Sequence, residues 1–169
     1  MTIMLPGDPE PDSVGKYPVY TRTGWPIPQQ QPDRVDQRLI KIRAKELSDW
    51  GKNLILRSLS TYPYNCVGMV FASRRAWIDP KHVYRILNED GYRKISLDEV
   101  KQGDVVLYKY QINDDEPTHV ALVVWINPIG SLSSIQVISK WGKDAEFLHF
   151  MENVPDRLGK PMEFWTDRR

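Results

Sequence analysis

Few side chains in this sequence can do covalent or proton-transfer chemistry. The single cysteine, Cys66, sits in YPYNCVGMVFASRR, residues 62–75. Asn65 is a good N-cap, so the stretch from Cys66 to Ala76 reads as a helix that starts at the thiol. Free N–H groups and the positive dipole end at a helix start favour the thiolate, which is the nucleophile. A thiolate of this kind needs an imidazole to hold and return a proton. It also needs N–H donors for a tetrahedral oxyanion, and the N–H of Cys66 is one. The competing reading makes Cys66 a small core residue.

Three histidines could supply the imidazole. His82 lies between Lys81 and Val83 and reads as a surface residue. His149 lies in EFLHF and reads as structural. His119 opens the apolar run THVALVVWI, where a rigid strand would hold it with one edge open, and it fits the base best. A hairpin turn near Gly130 would bring residue 119 opposite about residue 139. Side chains alternate along a strand, so Ser139 and Trp141 would share the His119 face while Ile138 and Lys140 point away. A hydroxyl at Ser139 can accept from a ring N–H and fix the tautomer. Ser139 is the expected orienter, with Lys140 (after a one-residue slip) and His149 as the alternatives. A buried strand serine satisfied by backbone remains the bland reading of Ser139.

These residues must be positioned by helices first and strands after. Val35, Leu39, Ile42, Leu47 and Trp50 recur at helical spacing up to Gly51. A further helical piece spans Asn53 to Leu59. Asp79-Pro80 reads as an N-cap and first helical residue, and Val83, Ile86 and Leu87 give that helix an inner face up to Gly91. Strands then follow: one after Gly103-Asp104 to about Tyr110, THVALVVWI as a central strand apolar on both faces, IQVISKW, EFLHF, and an edge strand or packed extension in PMEFWTDRR. The pattern predicts an α+β fold, with N-terminal helices packed on a central antiparallel sheet. Residues 1–32 read as a proline-rich arm, with seven prolines among the first 34 residues, and residues 33–169 as one domain. Tyr17, Val19, Tyr20, Trp25 and Ile27 make the arm apolar enough to pack on that domain.

The order NCVGMVFA, VKQGDVVLYKY, THVALVVWI resembles the NlpC/P60 superfamily of papain-like cysteine peptidases and amidases, and the related CHAP domains, over Tyr62 to Gly142. VISKWGKDAEFLHFMENVP looks like an uncharacterised branch of such proteins. The resemblance implies a papain-like fold with Cys66 as nucleophile and His119 as general base. It implies hydrolysis of an amide or related acyl bond through a thioester, with a peptide or amide substrate, a peptidoglycan peptide among the options. Ser139 and Lys140 stand where the family places its third polar residue, a departure from the usual pattern. A second hypothesis follows from that departure: a papain-like scaffold with weak or no catalysis that binds a partner protein.

Composition narrows the classes. The chain has 169 residues and a net charge of +1, which gives no electrostatic case for nucleic acid or an anionic membrane. One cysteine makes no disulfide framework and fits a reducing compartment. The start MTIMLPGDPEPD has neither a basic n-region nor an apolar h-region, which predicts no export signal and a cytoplasmic location. One cysteine and three scattered histidines predict no metal site. No cofactor motif (P-loop, G-x-G-x-x-G) and no G-x-S-x-G is present. Trp77, Trp141 and Trp165 could wall a groove, with packing as the simpler reading.

Overall fold

A computed structural model describes residues 18–30, 54–127 and 134–169. Its frame is one seven-stranded sheet in which every described pairing is antiparallel. The elements are β1 (Gln29–Gln30), β2 (Leu54–Ser58), α1 (Cys66–Phe71), β3 (Trp77–Ile78), α2 (Val83–Glu89), β4 (Arg93–Ile95), β5 (Val105–Lys109), β6 (His119–Ile126), β7 (Ile135–Lys140), β8 (Glu146–Phe150) and β9 (Lys160–Thr166). The order across the large sheet is β2-β8-β7-β6-β5-β9-β4, and β1 pairs with β3 in a separate two-stranded sheet.

This corrects the expected α+β papain-like arrangement of helices packed on a central sheet. Among the described residues the α-helices are two short ones, of six and seven residues, and the large antiparallel sheet dominates. Local reasons are visible. The helix from Cys66 was expected to reach Ala76, but it stops at Phe71 because Ser73 and Arg74 take left-handed φ values of 48° and 64°. The segment expected to be helical from Asn53 to Leu59 holds β2, whose Leu54, Ile55 and Leu56 pair with His149, Leu148 and Phe147. The C-terminal strand β9 is not an edge, since β4 pairs along its outer side. The helical pattern from Val35 to Trp50 and the turn near Gly130 lie outside the described residues.

Other expectations hold as geometry. His119–Ile126 is the long central strand between β5 and β7. Asp79 caps a 3-10 turn, Pro80–His82, which runs into α2. The sheet separates two cores. On one face Tyr108, Ala121, Val123, Val137, Trp141 and Phe147 pack with Met151, Val154 and Leu158 from the segment after β8. On the other, Val105, Leu107 and Val120 pack with Cys66 and Val67 of α1 and with Val83, Ile86 and Leu87 of α2.

The arm residues join the second core. Ile27 is buried there, and Val19 and Trp25 pack against it. The Trp25 ring lies 3.9 Å from the Arg85 guanidinium carbon and 5.6 Å edge-on from His82. The hydroxyls of Thr21 and Thr23 both donate to Glu89. Among the described residues no helix is long and apolar enough to cross a membrane.

Candidate functional site

Asn65 fixes the start of α1. Its side-chain oxygen accepts from the N–H groups of Gly68 and Ile78, and its amide donates to the Ile78 carbonyl. The cap therefore stitches the helix to β3. Cys66 follows, buried against Val67 and Val120. Burial pushes its thiol pKa up, against the opposing pull of the Val120 and Val67 N–H groups and of the Lys140 charge. Desolvation of the thiolate outweighs the polar groups around it.

His119 does not meet Cys66. Residues 119, 121 and 123 point to one face of β6, and residues 120 and 122 to the other. Ala121 and Val123 belong to the Trp141 core and Val120 to the Cys66 core. His119 accordingly lies on the far side of the sheet, its ring 5.2 Å from the Tyr108 ring. The expected Cys66–His119 pair is therefore not formed. The spacing placed His119 correctly on the strand, but the helix lies over the opposite face. Neither ring nitrogen of His119 has a hydrogen-bond partner among the described residues. Burial, then the nearby charges of His149 and Arg157, press its pKa down to about 3, so the ring is neutral near pH 7.

Ser139 serves a different histidine. Leu122 pairs with Ile138 and Val123 with Val137, a register that brings Ala121, not His119, level with Ser139. The shift is an even number of residues, so Ser139 and Trp141 still face the His119 side, and Ile138 faces Tyr64 and Met69. The Ser139 oxygen lies 2.8 Å from His149 Nε2. His149 Nδ1 lies 2.8 Å from the Phe150 carbonyl. A carbonyl only accepts, so Nδ1 carries the proton and Nε2 accepts from the Ser139 hydroxyl. Trp141 Nε1–H donates to the same oxygen. Ser139 is 0 % and His149 1 % exposed, which closes this Ser–His contact to any substrate. Burial lowers the His149 pKa to about 4.

A polar cluster on the Cys66 side was not read from the sequence. Lys140 is fully buried, and its ammonium donates to the carbonyls of Thr61, Gly142 and Asp144. Burial lowers its pKa to about 8, offset by the charges of Asp144, Cys66 and Glu146. Three carbonyl acceptors suit three ammonium protons, so Lys140 offers Cys66 a positive charge and no base. Next to it on β8, Glu146 accepts from the Tyr64 hydroxyl and, through both carboxylate oxygens, from Arg74 at 2.8 Å each. The signals were faint: one lysine inside an apolar strand and one glutamate at the start of another.

The remaining candidates lie apart from Cys66 and from one another. Trp141 is core, Trp165 packs 6.2 Å from the Tyr84 ring, and Trp77 lies in β3. Trp141 and Trp165 belong to different cores, on opposite faces of the sheet. His82, expected on the surface, is half-buried against Trp25. Asp104 is buried and takes the Arg168 guanidinium, which ties the C-terminal tail to the turn before β5. Among the described residues no group of three His, Cys, Asp or Glu could hold a metal. A cavity of about 380 Å³ lies between the segment after β8 and the start of β9, lined by Glu152, Val154, Asp156, Gly159, Lys160 and Pro161. None of the candidate residues lines it.

A family model described as "Domain of unknown function (DUF7689)" matches residues 55–164, more than half of the 169-residue chain. The matched span begins in β2 and ends in β9. No curated protein and no solved structure matches the chain.

Proposed function

We propose that this chain, which belongs to the domain-of-unknown-function family just described, is a binding scaffold for a partner protein and not a Cys–His hydrolase. The observation that carries this reading is the separation of Cys66 and His119 by the thickness of the sheet. Acylation of a thiol needs a proton acceptor at the sulfur, and the leaving group needs that proton back. His119 is on the wrong face, and Lys140 spends its protons on carbonyls. Cys66 is also only 5 % exposed. Large apolar side chains, among them Ile55, Leu56 and Leu59, stand outside the cores, where a partner can cover them.

Treatment of the folded protein with iodoacetamide near neutral pH tests the reading. Cys66 should stay unmodified until urea unfolds the chain. Ready modification of the folded protein, joined to turnover of a peptide or amide that is lost in Cys66→Ala, would overturn it.

A second reading keeps the cysteine peptidase or amidase, with the NlpC/P60-like relationship as its premise. It is favoured by Lys140, whose charge acts on Cys66 from the same face. In this reading the thiolate is set up by the ammonium and by the N–H groups of Val120 and Val67; it attacks a peptide or amide carbonyl to form a thioester while water protonates the departing amine, and the hydroxide so formed hydrolyses the thioester and releases the sulfur. It requires labelling of Cys66 in the folded state that falls in Lys140→Met.

A further inference from the structure

The arm between Val19 and Ile27 is a small hairpin held by its own backbone. The Ile27 N–H donates to the Val19 carbonyl at 2.8 Å, the Thr21 N–H donates to the Trp25 carbonyl at 3.0 Å, and Tyr20 and Pro26 form a bridge between them. Gly24, at φ 90°, closes the turn with its N–H on the Thr21 carbonyl. The Thr21 hydroxyl accepts from the Trp25 N–H. A segment that satisfies its backbone in this way reaches a surface already ordered. The domain then reads its side chains. Glu89 of α2 accepts from the hydroxyls of Thr21 and Thr23 at 2.7 and 2.6 Å. Arg85 donates to the other oxygen of that carboxylate and sets its guanidinium over the Trp25 ring. Asp90 accepts from the Arg22 N–H at 2.6 Å, and Ile27 fills an apolar site against the second core. Past the hairpin, β1 adds to β3 with Gln29 opposite Ile78 and Gln30 opposite Trp77. Side-chain sites beside an added strand are the parts of a peptide-recognition surface. The matched family span, 55–164, takes in α2 and β3 and leaves the arm outside.

We propose that the face of α2 and β3 is the docking surface of this scaffold, that residues 18–30 occupy it as a removable strap, and that a partner engages it by presenting a hairpin of the same chemistry in the strap's place. The inference rests on the binding-scaffold reading and deepens it by locating the surface and naming what the partner must present. The contacts select that occupant. Two hydroxyls one residue apart meet Glu89, an aromatic ring meets Arg85, and an aliphatic side chain two residues further on enters the core. Backbone beyond it pairs with β3. While the strap is in place it outcompetes an external hairpin, because its tether to the domain gives it a high effective concentration.

The full chain with a site-specific protease sequence inserted between Pro32 and Asp33 tests this. After cleavage the two parts should still co-elute in size-exclusion chromatography. A fluorescein-labelled synthetic peptide of residues 17–30, added in excess, should then replace the cleaved arm and give saturable anisotropy. The intact chain should bind the same peptide far more weakly, since its own arm competes. A peptide with Thr21→Val and Thr23→Val should bind about tenfold more weakly, the scale of a lost hydrogen bond to a carboxylate. These changes lie in the peptide, so folding of the domain does not enter. The proposal is overturned if the cleaved arm separates from a folded domain, or if the domain unfolds on cleavage. It is equally overturned if the labelled peptide never replaces the arm, binds the intact chain as well as the cleaved one, or binds unchanged without its two hydroxyls. Failure of the strap leaves Cys66 unreactive, whereas failure of the scaffold reading appears as labelling of Cys66, so the two outcomes are separable.

Discussion

The Ser139 oxygen lies 2.8 Å from His149 Nε2, on the sheet face away from Cys66, and the Trp141 indole N–H donates to that same oxygen. Within this Trp141–Ser139–His149 series each polar atom has its partner, down to His149 Nδ1–H on the Phe150 carbonyl. The arrangement has the look of a nucleophile and its base, yet with no exposed atom its work is to satisfy polar groups inside an apolar core.

Ser139→Ala removes the donor to His149 and the acceptor of Trp141 together. Two buried groups are then left unmade, and the expected loss is about 1–3 kcal/mol in urea unfolding. A Ser139→Ala protein as stable as wild type would show that the network contributes nothing.

His119 and His149 make folding sensitive to acid. Their folded pKa values, about 3 and about 4, lie below the ordinary 6.5. As pH falls, the unfolded chain takes up these protons first. The stability they allow is therefore complete above about pH 6.5 and is lost from there down to about pH 4 for His149 and about pH 3 for His119, at up to about 1.4 kcal/mol per pH unit for each ring. His119→Phe keeps an aromatic ring beside Tyr108 and removes two unpartnered nitrogens. It should raise stability at pH 7 by about 1–3 kcal/mol and narrow the gap between urea midpoints at pH 7 and pH 5. An unchanged gap would mean that His119 is not neutral and buried in the folded state.

The arm gives a third expectation. Ile27 is 5 % exposed in the core beneath α1 and α2, so Ile27→Ala should cost about 2–4 kcal/mol. The melting temperature of the purified variant measures it. A change no larger than that of an exposed site such as Ile112→Ala would make the arm a loose tether.

What could be read from the sequence follows from which interactions are local. The strand His119–Ile126 was legible because its continuous apolar run fits a strand covered on both faces. The shared face of Ser139 and Trp141 was legible because a register error of two residues leaves side-chain direction unchanged. The face on which α1 lies is not written in any spacing, and that alone separates Cys66 from His119. LILRS at 54–58 suits a helix as well as a strand by composition. Its conformation is decided by partners at 146–149, far along the chain. The Tyr64–Arg74–Glu146 cluster has the same origin, since the two ends of the α1 segment meet a glutamate 82 and 72 residues further along the chain.

Gly68 is the sharpest test of how α1 is seated. In an exposed helix interior, glycine to alanine stabilises by about 1 kcal/mol. Here a methyl carbon at residue 68 would lie 1.6 Å from the carbonyl oxygen of Ala76, on the segment that leads into β3. Backbone at that distance must move, and the same segment carries the Ile78 groups bonded to Asn65. The Gly68 carbonyl also accepts from the N–H groups of Ala72 and Arg74, so a shift of α1 disturbs its cap at both ends. Gly68→Ala should therefore destabilise, by about 3 kcal/mol, the opposite sign to the helix rule. It should also expose Cys66, which would then react with iodoacetamide where the wild type does not. If Gly68→Ala instead melts at or above the wild-type temperature with Cys66 still protected, α1 does not rest on the Ala76 carbonyl.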